Sequence, residues 1–105
     1  MILSISDEAK DDLADFWLFH HRIASENGQD AQVLADSAVD AFFKRACDLE
    51  LFPEMGRRRE ELGKGIRCLP IRKYLVFYKV RSNDVLLVRV IHGSRDLETT
   101  WNLDS

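Results

Sequence analysis

Cysteine is scarce in this chain. Cys47 and Cys68 are the only two among 105 residues, too few for a disulfide scaffold and without the paired spacing of a zinc site. Cys47 falls in a helical pattern and Cys68 in a strand pattern, so both are expected as small buried hydrophobes. Two prolines and five glycines exclude a proline-rich linker or a low-complexity segment. No apolar run approaches the ~20 residues that span a bilayer, and the start of the chain lacks a basic stretch followed by an apolar block. The expectation is a cytoplasmic protein with no membrane segment. The neighbours His20 and His21 point about 100° apart on a helix and cannot share a metal in the i, i+4 manner. No metal and no cofactor are expected.

What the chain does have is apolar side chains (46%) and charge (31%) in globular proportion. Residues 1–105 fit one domain with one core. The net charge of −3 hides a division: residues 1–55 hold twelve acidic and four basic side chains, and residues 56–105 hold six and eleven. The first half is therefore −8 and the second +5; either one face meets an anionic partner while another avoids it, or the helices simply solvate with Asp and Glu. Arg57-Arg58-Arg59 is diluted at once by Glu60-Glu61 and lacks the interleaved aromatics of a single-strand binding surface. Direct sequence-specific nucleic-acid binding is not expected, and a solvated loop or a protein contact fits better.

Periodicity divides the chain simply. Ile2–Ile5 reads as a short strand. Ser6 stands where an N-cap belongs, with Asp7 and Glu8 at the positive end of the following helix dipole. Ala9, Leu13, Phe16, Trp17, His20 and Ala24 recur at steps of three and four, predicting a helix to about Asn27 that Gly28 ends. A second helix runs from near Asp30 on Leu34, Ala35, Ala38, Phe42, Ala46 and Leu49, and stops at Phe52-Pro53. Phe16, Trp17 and Phe42 are core by spacing. The brief break between the helices indicates an antiparallel helical hairpin. After the charged connector Pro53–Gly65 comes a strand over Ile66–Ile71, where Pro70 signals an edge or a bulge. Tyr74–Val80 and Val85–Ile91, separated by Ser-Asn-Asp, read as a β-hairpin. The expected fold is α+β: an N-terminal strand and a helical hairpin packed on one face of a three- to four-stranded antiparallel sheet.

The last strand runs into His92-Gly93-Ser94-Arg95-Asp96, which puts an imidazole, a guanidinium and a carboxylate at a sheet end. His92 can act as a contact or an acid–base group, or can lock the turn through Asp96 or a backbone carbonyl. Arg95 and Asp96 can pair with each other. Arg89, mid-strand on the side of Val85, Leu87 and Ile91, must be paired, most commonly with a helix carboxylate, or must emerge on an open face. Arg67 begins a strand as a surface contact. Tyr74 and Tyr78 share one strand face and Phe77 the other; the pattern leaves open which is presented to a partner.

Taken in order, Phe52-Pro53-x-x-Gly56-Arg57, Gly65-Ile66-Arg67, Tyr74-Leu-Val-Phe-Tyr78 and Arg89-Val-Ile-His92-Gly93-Ser94-Arg95-Asp96 make the chain resemble the ParE branch of the RelE/ParE toxin superfamily, from Ser6 to about Leu97. The resemblance implies the toxin of a type II toxin–antitoxin pair, neutralised by a cognate ParD-like antitoxin and acting on DNA gyrase. It makes Arg67, His92, Arg95 and Asp96 candidate target contacts, and Arg57, Arg58, Tyr74 and Tyr78 candidate antitoxin contacts. Without its antitoxin such a chain is expected to aggregate or form a homodimer. The RelE branch cleaves ribosome-bound mRNA without metal, and in that alternative His92, Arg67, Arg89 and Arg95 would be catalytic. Asp96 beside a bound phosphate, and Trp101 as the aromatic residue nearest the end, argue against it. A remnant that only binds antitoxin is the third possibility.

Overall fold

A computed structural model of the chain describes residues 2–94. Strand β1 (Ile2–Ile5) leads into helix α1 (Asp7–Glu26), capped by the Ser6 hydroxyl, which accepts the Ala9 N–H at 3.0 Å. Helix α1 gives way at Gly28, whose φ of +70° suits a residue without a Cβ. Helix α2 (Ala31–Ala46) is capped by Asp30. The pattern pointed to one helix as far as Phe52, but α2 ends at Ala46 and a separate single turn, α3 (Asp48–Leu51), carries Leu49 into the core. Cys47 sits at that junction and is exposed rather than buried, because it lies one residue off the buried line of Ala46 and Leu49; Cys68 is buried as expected.

The sheet continues through β2 (Arg57–Arg58), a 3-10 turn at Glu60–Leu62, β3 (Ile66–Ile71), β4 (Tyr74–Val80) and β5 (Asp84–His92). Its order is β1-β5-β4-β3-β2. The α+β architecture stands, but the sheet has five strands and is mixed, since β1 pairs with β5 in parallel. Residues 57–58 lie in what reads as a charged connector; an arginine run carries no alternation, and only pairing with Arg67 and Cys68 makes it a strand. Because β2 reaches no further along β3, Pro70 lies on an open edge, where its missing N–H costs no ladder bond.

Both faces of the sheet are apolar. Toward the helices, Phe16, Phe42, Leu49, Val76, Tyr78 and Leu87 lie in the main core. On the other side, Ile66, Cys68, Phe77 and Ile91 form a second buried cluster against Leu62, Leu75 and Val88. The face expected to remain available is thus apolar at its centre. Trp17 is only half-buried; its indole N–H donates to Asp36 at 2.8 Å and ties α1 to α2.

One irregularity shapes the site end of the sheet. Tyr78 pairs with Leu87 and Phe77 with Arg89, so Val88 is an extra residue in β5, a β-bulge. Its backbone is satisfied from α1 and its cap. The Ser6 hydroxyl donates to the Val88 carbonyl at 2.8 Å, and the Val90 N–H donates to Asp12 Oδ2 at 2.8 Å. Arg89 grips the same carboxylate twice, at 2.8 and 3.0 Å. The pairing of Arg89 with a helix carboxylate is therefore what occurs. The bulge changes the alternation, however, so Ile91 lies on the face opposite Val85 and Leu87, not beside them.

Candidate functional site

Strand β4 has two dissimilar ends. At one, Tyr78 is 0% exposed, and its hydroxyl donates to the Pro53 carbonyl and accepts the Gly56 N–H, both at 2.8 Å. Burial pushes its phenol up, against the pull of the Gly56 N–H and Arg67, so the proton needed to reach Pro53 stays in place. Arg67 Nη1 donates to the carbonyls of Glu54 and Gly56 at 3.1 and 2.8 Å. Gly56 must be glycine, since a Cβ there would run into the Tyr78 hydroxyl and ring. The Pro-x-x-Gly turn is therefore held as a folded knot, and Tyr78 belongs to the core rather than to a contact surface.

At the other end Tyr74 is half-buried. It packs edge-on against Phe16, with ring centroids 4.8 Å apart, and against His92 at 5.2 Å. His92 is its cross-strand partner. The His92 ring locks its own turn, as one of the alternatives held, and among the described residues it does so through Ser94. The Ser94 N–H donates to Nδ1 at 3.1 Å and the Ser94 hydroxyl lies 2.7 Å from the same atom. Since Nδ1 accepts, Nε2 carries the proton in the neutral ring. The turn joining β3 to β4 holds Arg72 at a φ of +55°, costly for a residue with a Cβ, and exposes both Arg72 and Lys73.

Between this end of the sheet and the helical hairpin runs a groove of about 700 Å³, floored by Phe16, Phe42, Ile71 and Tyr74 and rimmed by Arg72 and Lys73. A neighbouring hollow of about 390 Å³ shares Phe16, Phe19, Tyr74 and His92 and ends at Asp12 and Asp15. Phe19, Ile23 and Leu34 border the groove with 41%, 39% and 39% of their surface exposed. The sequence reading missed Phe19, Ile23, Arg72, Lys73 and Asp12, and it placed Leu34 on the buried stripe of the second helix, which the structure leaves partly exposed. Phe19 and Ile23 stand four apart on α1 beside its main stripe, which is the one signal of a second apolar face.

The expected site residues therefore separate. His92 and Tyr74 meet in the groove. Arg67 pairs with Tyr78, four residues and ~13 Å along β4 from Tyr74, and its guanidinium is engaged by carbonyls. Arg89 is engaged by Asp12, with 11% and 9% of the two side chains exposed. Arg57 and Arg58 remain exposed on β2, away from the groove. Arg95 and Asp96 lie outside the described residues. The nuclease set of Arg67, Arg89 and His92 is thus not brought together on one surface. Among the described residues, no group of three or more His, Cys, Asp or Glu side chains is arranged to hold a metal ion, and no helix is long and apolar enough to cross a membrane.

The sequence and the fold both have known relatives. The model of the family described as the ParE toxin of type II toxin–antitoxin system, parDE, matches residues 3–97. Toxin ParE3 of Caulobacter vibrioides is 27% identical over 75 residues, covering 71% of this chain and 72% of that protein. A solved chain of the chromosomal ParDE TA system from P. aeruginosa superposes with a TM-score of 0.70 over 88% of this chain and 95% of its own. At 17% identity, that likeness speaks for the fold alone.

Proposed function

The chain belongs to the ParE toxin family of type II toxin–antitoxin systems, and from that premise we propose that its groove receives a segment of a cognate ParD-like antitoxin. In this reading the free toxin arrests growth in the cytoplasm by binding DNA gyrase. The observation that carries it is the pairing of an apolar floor with a cationic rim. Phe19, Ile23 and Leu34, exposed around the half-buried Tyr74, offer area to an apolar helix face, while Arg72 and Lys73 favour acidic side chains beside that face. His92 and Tyr74 are the contacts at the sheet end, and a segment that extends beyond the groove along β3 would reach Arg57 and Arg58.

Binding rather than bond-making is favoured because Arg67 and Arg89 spend their guanidinium groups on the fold. A general acid–base pair needs groups within reach of one reacting atom. The test is tightly regulated expression followed by assays for double-strand DNA breaks and for mRNA cleavage. Arrest with broken DNA and intact mRNA is the expected result. Cleaved mRNA with intact DNA would overturn the mechanism, and no arrest would reduce the chain to an antitoxin-binding module. Co-expression with the antitoxin should restore growth and yield one co-purifying complex.

A further inference from the structure

The end of β5 does not choose its own register. Val88, Val90 and Ile91 are all apolar, so sliding the pairing by one residue still places an apolar side chain on each face. In the observed register Val90 joins the helix-side core, Ile91 packs with Phe77 on the far side, and His92 stands opposite Tyr74. Were pairing to continue evenly from Leu87, Arg89 would oppose Val76 and Ile91 would oppose Tyr74. Val90 and Ile91 would exchange faces, and His92 would turn away from the groove. Each register puts one of Val90 and Ile91 on each face, so the apolar alternation alone specifies the register weakly, and the even one would carry the Arg89 guanidinium to the core position beside Val76 that Val90 now fills.

What does discriminate is polar. With Val88 bulged out, the Asp12 carboxylate accepts the Val90 N–H and both Arg89 contacts; a one-residue slip would turn the Val90 N–H away from α1, because strand N–H groups point alternately to the two sides. With 9% of its side chain exposed, it would be left in a poorly hydrated place without those donors. We propose that Asp12 is a positioning residue: by holding the bulge at Val88 it determines that His92 faces the groove beside Tyr74. The inference rests on the reading of that groove as the partner site. It assigns to α1 the aiming of a side chain 80 positions further along the chain. Bulges beside functional sites commonly re-aim a side chain in this way.

The test uses the isotope-labelled full chain. Wild type should show NOEs between the His92 and Tyr74 rings and a protected Val90 amide. Asp12→Ala should lose those NOEs, gain Ile91–Tyr74 NOEs and lose the Val90 protection. Arg89→Met, which leaves the carboxylate on the Val90 N–H, should keep the His92–Tyr74 contact. Unchanged NOEs in Asp12→Ala overturn the proposal. Should that variant not fold, Asp12→Asn decides: a second set of His92 resonances without the Tyr74 contact supports it, and a single set identical to wild type overturns it. On antitoxin affinity, Asp12→Asn should cost about tenfold, and the cost should vanish in a His92→Ala background. Simple additivity would mean that Asp12 does not act through His92. If His92→Ala leaves affinity unchanged, it is the groove reading that fails, and the NOEs still decide the register.

Discussion

Tyr74 and Tyr78 stand four residues apart on the same face of the same strand, and their surroundings have little in common. Around Tyr78 every polar group is committed: its hydroxyl bridges Pro53 and Gly56, and Arg67 secures the same turn. Around Tyr74 the chain leaves apolar rings half-covered, exposes Arg72 and Lys73, and tolerates Arg72 at a positive φ. The difference teaches that a small domain can commit its polar groups at one end of a sheet and leave apolar surface half-covered at the other. An element that must bind is drawn from the less tightly held part of a fold, and strain tends to collect there.

The contrast can be broken most directly at its rigid end. Gly56→Ala should lower stability by about 3 kcal/mol, because the new Cβ must displace a buried ring and separate its hydrogen bonds; denaturant unfolding measures it. At the open end the balance inverts. Phe19→Asp should change stability by no more than about 0.5 kcal/mol yet cost about 2 kcal/mol of antitoxin affinity by calorimetry, since it puts a charge over the apolar floor. Arg72→Gly should sharpen the point by moving both quantities, raising stability by about 1 kcal/mol through relief of its backbone while weakening the complex. An Arg72→Gly chain no more stable than wild type would remove the argument for strain.

The smallest effect concerns the turn beyond Val80, on the rigid side. There Asp84 is held down to about 2 from an ordinary 3.8 by the Arg81 guanidinium and the Ser4 hydroxyl. A carboxyl depressed by folding contributes stability that is fully present above its unfolded value and is lost as pH falls through the folded one. Stability should therefore decline between about pH 4 and pH 2, and Asp84→Asn should remove that share of the decline in acid unfolding followed by circular dichroism.

Much of the fold was legible because it rests on local rules. Ser6 and Asp30 cap the helices where their side chains can reach the first free N–H groups. The apolar steps through Phe16 and Phe42 mark the buried stripes, and the Ser-Asn-Asp loop marks the hairpin. Pro70 announced an edge. Less local matters were not visible. Cys47 lay on a helical pattern yet fell at a junction, and Arg57–Arg58 became a strand only through pairing with β3. Of the site, His92 was expected as a target contact for its chemistry and Tyr74 as an antitoxin contact from strand parity, and the two lie side by side. Tyr78 was chosen by the same parity argument as Tyr74 and proved to be core, because parity reports the face of a strand and not the depth along it.

By itself, then, the order of residues determined the helices, the hairpin, the charge division between the two halves and the family resemblance, all of which depend on neighbours or short periods. Only the tertiary structure decided that β1 lies parallel to β5, that Arg89 belongs to Asp12, and that a bulge at Val88 turns His92 toward the helices. Those outcomes depend on groups some 80 positions apart, and a strand whose apolar residues suit either face carries no local preference between them. The choice falls to a carboxylate on another element, and no periodicity along β5 could disclose it.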